Sequence, residues 1–110
     1  MKIVSATIRW EQLPAVKEAL FGAQFRHLTV IPVMGTAPKT EQQMFRGIRR
    51  EQELFRRVRV EVAVHDAQLE NAIEAISQGL KESGGYGKIF VTELLDVVKV
   101  WTGERGTRAL

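Results

Sequence analysis

Cysteine is absent from the 110 residues, so disulfides, thiolate metal sites and cysteine nucleophiles are excluded, and nothing in the composition requires an oxidising compartment. Histidine is scarce. His27 and His65 are the only two, too few for a metal cluster without carboxylate help, and neither stands in a recognisable pairing with a serine or aspartate. An enzyme needs a base or nucleophile with a positioned partner, so no catalytic residue and no metal ligand is assigned, and both histidines read as capping or surface residues. Long hydrophobic runs are missing as well. The first residues, 1–8, alternate polar and apolar instead of forming a basic start and a continuous apolar stretch. They therefore read as neither a signal peptide nor a membrane span, and the cytoplasm is the expected location. There are no repeats and no low-complexity tracts. Charge of one sign is only slightly in excess, 16 Lys and Arg against 13 Asp and Glu for a net +3, which suits anionic ligands without arguing for nucleic acid.

An apolar content of 45% is ordinary for one globular domain, here residues 1–110. Val4, Ala6 and Ile8 alternate with Ser5 and Thr7, the period of a half-buried strand over 2–8. From Glu11 the spacing becomes helical, with Leu13, Val16 and Leu20 on one face, Pro14 near the start and Gly22 near the stop. Residues 28–33 read as a second strand, where Pro32 argues for a sheet edge or a bulge. The clearest strand is 57–64. It turns Val58, Val60, Val62 and Val64 inward and Arg57, Arg59 and Glu61 to the other face, as a solvent-facing ladder or as groups for a phosphate and a hydroxyl. Asp66 is suited to cap a second amphipathic helix carrying Leu69, Ala72, Ile73, Ile76 and Leu80, which the spacing ends near Gln78 with Gly79 as a stop. Strand four covers 88–92, and 97–101 suggests a short fifth strand before a turn-rich tail over about 101–110 that stays mobile unless it docks.

Two stretches are left for function. Residues from about 36 to 55 show no sustained period, and a loop of that length in a small domain needs an explanation. Six arginines crowd 46–59 (46, 49, 50, 56, 57, 59), either as a solvated arm or as a docking surface for an acidic partner or nucleic acid. The second stretch is the glycine-rich loop at about 82–88, Gly84-Gly85-Tyr86-Gly87-Lys88. Its backbone can take φ > 0 and approach an anion while Lys88 supplies a charge at its exit, although chain reversal alone also explains such a turn. No Ser or Thr follows the lysine as in a Walker A loop, and no helix opens on a third glycine as in a dinucleotide fingerprint. The element order is that of the α+β, ferredoxin-like βαββαβ fold, with a long loop between strands two and three and a short extra C-terminal strand. Both helices then cover one sheet face, and the apolar residues of the other make further subunits its natural cover.

Five ordered blocks carry a resemblance over nearly the whole chain. They are Met1-Lys-Ile-Val4, Phe45-Arg-Gly47, Val58-Arg-Val-Glu61, Gly85-Tyr-Gly-Lys-Ile-Phe-Val91 and Thr102-Gly-Glu104, and together they resemble the P-II signal-transduction proteins. The resemblance implies a cytoplasmic homotrimer with adenine nucleotides (ATP, ADP or AMP) bound in clefts between subunits. It also implies a long T-loop that docks on a target protein such as a membrane transporter, no resident cofactor and no enzymatic role. Carried over residue by residue, the nucleotide contacts fall on Thr29, Gly35, Arg57, Glu61, Gly85, Gly87 and Lys88. The family's two C-terminal arginines fall on Lys99 and Trp101, and an indole in place of a fork of donors removes a charged phosphate contact. In the T-loop Lys39 stands where the resemblance places a glutamine that helps hold magnesium and 2-oxoglutarate, so a magnesium requirement is left open. Arg50 replaces the tyrosine that is uridylylated in many members. Lys39, Arg46, Arg49 and Arg50 thus form a basic loop for a partner or a small anion. These departures point to bicarbonate and inorganic-carbon regulation, with the standard nitrogen regulator sensing 2-oxoglutarate as one alternative. An RNA-binding module of the RRM type is the other, on its Gly-aromatic-Gly motif at 85–87, but that motif follows the second helix here and belongs before it.

Overall fold

The computed structural model describes residues 1–36, 44–45, 48–49 and 54–110, with 44–45 and 48–49 described for their backbone alone. Strand β1 (Lys2–Ile8) is followed by a 3-10 turn (Trp10–Gln12), helix α1 (Leu13–Gly22) and strand β2 (Thr29–Thr36). Two short strands, β3 (Met44–Phe45) and β4 (Ile48–Arg49), pair with each other, and β5 (Leu54–Val64), α2 (Leu69–Glu82) and β6 (Ile89–Glu93) complete the order. The main sheet has the antiparallel order β2-β5-β1-β6, which is the ferredoxin-like arrangement that the alternation of periods predicts. Pro32 sits on an edge strand, the place in a sheet where a residue without an N–H is tolerated.

Val4, Ala6 and Ile8 of β1 and Val58, Val60, Val62 and Val64 of β5 are buried under both helices. They stand directly opposite one another, Val4 against Val62, Ala6 against Val60 and Ile8 against Val58. Each buried valine contributes roughly 1.5–3 kcal/mol. Val16 and Leu20 of α1 and Ala72, Ala75, Ile76 and Leu80 of α2 close the core from above. On the reverse face Ile3, Ile31, Phe55 and Phe90 alternate out of the core, and Phe90 is 56% exposed. Among the described residues no helix covers that face.

Four expectations need correction. Helix α2 does not stop near Gln78 but runs to Glu82, and Gly79 is inside it and buried. A Cβ there would lie 2.7 Å from Val16 Cα and 3.0 Å from the Ala15 carbonyl oxygen, so the glycine marks the close approach of two helices and not a stop. Asp66 does not cap α2. It opens a 3-10 turn (Asp66–Gln68) ahead of the helix and takes the Met1 ammonium at 2.8 Å. The two strands that flank the long loop are longer than the sequence suggests, because β2 extends to Thr36 and β5 starts at Leu54, opposite each other. Finally, 97–101 forms no strand. A single antiparallel bridge joins Val98 to Arg105, and the Lys99 carbonyl accepts from Thr102 at 3.2 Å and Gly103 at 2.8 Å, which folds the run back before it can extend the sheet.

Asp96 closes that C-terminal turn. Its carboxylate accepts from both Nε and Nη2 of Arg105, from the Val97 N–H at 2.9 Å and from the Gly106 N–H at 3.1 Å. The Arg105 hydrogen bond, aided by the two N–H groups, holds its pKa below the ordinary 3.8, although partial desolvation opposes this. A depressed carboxylate pKa adds stability above the unfolded value and loses it as pH falls through the lower folded value. The Gly106 amide resonance should therefore titrate with a midpoint below 3.8 and lose that step in Asp96→Asn; a step that survives the substitution would assign it to another group.

Candidate functional site

The glycine loop is a built structure. Gly84, Gly85 and Gly87 have φ of +122°, +81° and +150°, a region that L side chains enter only with strain. At two of the three a side chain would also displace the tip of a neighbouring one. A Cβ on Gly84 would come within 2.5 Å of Arg9 Nη2, and one on Gly87 within 2.9 Å of Leu80 Cδ1. The loop begins as the C-terminal cap of α2, where the Gly85 N–H donates to the Leu80 carbonyl at 2.7 Å and Ser83 Oγ donates to the Gly79 carbonyl at 2.6 Å. That cap engages one of the N–H groups that the sequence left uncovered. The N–H groups of Gly87 and Lys88 make no hydrogen bond among the described residues.

Two residues that sequence reasoning missed hold the loop. Gln12 is 2% exposed, and its Oε1 accepts from the Arg9 N–H at 3.0 Å while its Nε2 donates to the carbonyls of Ser83 at 3.3 Å and Tyr86 at 3.5 Å. Arg9 Nη2 donates to the Ser83 carbonyl at 3.4 Å and so brings a guanidinium against the loop. The one available signal was a polar residue between Ile8 and Leu13 at a position that the topology places in the core. Gln12→Leu keeps the volume and leaves the Ser83 carbonyl and the Arg9 N–H short of a partner. It should lower stability by about 1–3 kcal/mol, read from the urea midpoint, and speed amide exchange in residues 84–88; unaltered exchange there would show that Gln12 does not brace the loop.

The sheet register places the other expected residues. Ile89 stands opposite Ala6, which stands opposite Val60, so Lys88 enters at the end of the sheet where β5 carries Arg57 and Arg59. Arg57 is partly buried, its guanidinium donates to the Arg56 carbonyl at 3.0 Å, and it lies 5.4 Å from the Phe55 ring centroid. Gly35 is close to it, since an added Cβ would meet Arg57 Cγ at 3.9 Å, an ordinary contact, and its φ is not positive. Neither conformation nor space demands a glycine at 35 among the described residues. Thr29 pairs with Glu61, four residues and about 13 Å along β5 from Arg57, and the Glu61 carboxylate forms an ion pair with Arg59, 3.1 Å from its Nε. Lys99 belongs to neither group. It follows the opposite end of β6, with its ammonium 3.7 Å from Glu104 and 5.7 Å from the Trp101 ring centroid, while Trp101 is 82% exposed.

Gly35, Arg57, Gly85, Gly87 and Lys88 therefore lie toward the same end of the sheet, on different strands and loops of it, whereas Thr29 and Glu61 lie further along β2 and β5 and Lys99 beyond the other end of β6. Of the basic loop, Lys39, Arg46 and Arg50 lie outside the described residues, and Arg49 is described only as backbone in β4. His27 and His65 line one cavity of about 500 Å³ with Phe25, Val62, Val64 and Leu110, and neither imidazole has a partner among the described residues. No cluster of three metal-ligating side chains occurs among the described residues, and no helix there is long and apolar enough to cross a membrane.

The structure is thus a ferredoxin-like domain with a braced glycine-lysine loop at one sheet end and an apolar sheet face that no helix covers among the described residues. Residues 1–104 match the family described as nitrogen regulatory protein P-II, and the chain belongs to that family, whose members are regulatory signal transducers and not enzymes. Over its full length the chain is 41% identical to the nitrogen regulatory protein GlnK1 of Methanosarcina mazei, covering 97% of that protein. It is 37% identical to the nitrogen regulatory protein P-II of Azospirillum brasilense and 35% to the nitrogen regulatory protein GlnK of Escherichia coli K12, covering 100% of each. P-II proteins are homotrimers that bind adenine nucleotides and act on target proteins. That membership displaces the RNA-binding alternative.

Proposed function

We propose that this chain forms a homotrimer that binds adenine nucleotides between neighbouring subunits and reports them to a target protein through residues 36–55. The observation that carries the reading is the placement of Gly35, Arg57, Gly85, Gly87 and Lys88 toward one sheet end, with Thr29, Glu61 and Lys99 elsewhere on the same chain. Two neighbouring copies supply the two halves of one cleft. The nucleotide phosphates rest on Gly85 to Lys88, with Arg57 and Lys99 as neutralising charges, and Thr29 and Glu61 provide polar contacts from the neighbouring copy. The uncovered face with Ile3, Ile31 and Phe90 supplies the apolar surface for assembly.

Signalling needs a difference in contact between nucleotides, because a ligand shifts an equilibrium only by its differential affinity. Gly35 and Arg57 are placed for that task. They lie on the ribbon of β2 and β5 that leads into the long loop, so a phosphate that engages Arg57 acts on the loop's base. The absence of a second C-terminal arginine at Trp101 weakens the hold on a triphosphate relative to a diphosphate.

Nitrogen control is a second reading of the output, and the names of the relatives, all nitrogen regulatory proteins, favour it. The basic loop and the lost glutamine and tyrosine positions support bicarbonate as the co-effector instead. Calorimetric titration with ATP, ADP and AMP, alone and with 2-oxoglutarate or bicarbonate, tests the reading on protein whose mass in solution has been measured. Micromolar adenylate binding by a trimer supports the proposal, and the anion that changes the affinity identifies the second signal. Absence of binding to all three nucleotides would refute it.

A further inference from the structure

A second cleft lies at the base of the long loop. It has a volume of about 380 Å³ and is lined by Trp10, Pro32, Val33, Met34, Arg56 and Arg57. Its position follows from the sheet register. The last β1 residue with a partner is Ile8, opposite Val58, whereas β2 and β5 remain paired from Pro32 opposite Val58 to Thr36 opposite Leu54. The two strands therefore continue as a ribbon past the rest of the sheet. Met34 and Arg56 are direct partners on this ribbon, on the face that Val58 and Val60 turn toward the helices, and Trp10 comes from the turn that precedes α1. Glu61 and Thr29 share the opposite face.

The chemistry of the lining is specific. Trp10 and Met34 are 42% and 57% exposed, so a flat apolar wall and a polarisable one stand open to solvent. The Arg56 guanidinium makes no hydrogen bond or ion pair among the described residues. Arg57, with contacts of its own, adds positive charge beside it, and no carboxylate is in the lining among the described residues. The volume falls in the range of small-ligand sites, which are mostly apolar with few polar anchors. We propose that this cleft binds a small aromatic anion, a flat ring system carrying one acidic group, with the ring against Trp10 and Met34 and the acid on Arg56. The site shares Arg57 with the proposed nucleotide cleft but holds its acid on Arg56, on the opposite face of β5, and its occupant bridges the two strands from which the long loop departs. It is thus an effector site in its own right.

The probe is anilinonaphthalene sulfonate, an aromatic sulfonate whose emission rises in apolar surroundings, titrated into the full-length protein with excitation of tryptophan. Energy transfer to the dye should fall sharply in Trp10→Phe, and Arg56→Glu should weaken binding at least roughly tenfold, the loss of one charge-assisted contact. Phenylnaphthylamine, which lacks the acid, should bind weakly and equally to both proteins. ATP should not displace the dye. Arg56→Gln serves if the charge reversal disturbs folding, as judged by circular dichroism. Dye affinity that is insensitive to Arg56, displacement by ATP, or no dye binding at all would overturn the proposal; nucleotide affinity, which these variants should leave unchanged, reports separately on the proposed function.

Discussion

Lys88→Ala is expected to weaken adenylate binding roughly ten- to a hundredfold while the assembly mass in solution stays unchanged. The lysine is exposed and follows a loop whose shape is set by residues other than itself: the left-handed glycines, the buried Gln12 brace and the Leu80 carbonyl. Removing its ammonium leaves the loop intact and deletes one positive charge where the phosphates are proposed to rest. Hydrogen bonds to a charged group contribute about 1.5–3 kcal/mol, a factor of roughly ten to a hundred in affinity, which calorimetric titration resolves. Gly87→Ala reaches the same end by another route, because at φ +150° and 2.9 Å from Leu80 Cδ1 a methyl group distorts the loop itself. Equal affinity in Lys88→Ala and the parent chain would remove Lys88 from the site.

Gly79→Ala should destabilise the fold even though alanine is the better helix former by about 1 kcal/mol. The added methyl would meet backbone, Val16 Cα at 2.7 Å and the Ala15 carbonyl oxygen at 3.0 Å, and backbone cannot swing aside as a side chain can. Relief requires α1 and α2 to separate over Val16, Leu20, Ile76 and Leu80, all buried. Overpacking of this kind costs typically 1–3 kcal/mol, so a net loss of stability should appear as a lower urea midpoint, and Gly79→Val should lose more. A midpoint that rises in Gly79→Ala would mean that the helices part freely there. The same position shows why a glycine read from sequence is ambiguous: a stop and a close helix crossing call for the same residue.

The fold was legible because its signals are local and periodic. Alternation in 2–8 and 57–64 and the helical spacing of Leu13, Val16, Leu20, Ala72, Ile76 and Leu80 each survive burial unchanged, since every one of these residues faces the core that its period predicts. Pro32 identified its own edge. Where the reading failed, the deciding contact came from far along the chain. Asp66 has the composition of a helix cap, yet the Met1 ammonium, 65 positions away, takes its carboxylate. Residues 97–101 have the apolar pattern of a strand, but the Asp96–Arg105 pair and the Lys99 turn close them into a hairpin that leaves Trp101 exposed.

The site divides along the same line. Sequence alone determined that the loop at 84–88 is glycine-rich and ends in a lysine, that Arg57, Arg59 and Glu61 share the face opposite the core, and that five blocks match one family. Composition, period and motif are properties of neighbouring residues, so they need no partner to be read. Only the tertiary structure decided what those residues meet. It brought Arg9 and Gln12 from the end of β1 onto the glycine loop, set Lys88 at the Arg57 end of the sheet, kept Lys99 with Glu104 and Trp101, and let β2 and β5 outrun β1 to form the Trp10–Arg56 cleft. Each of these depends on strand register and helix approach, which are set by packing between segments distant in sequence and leave no trace in local spacing.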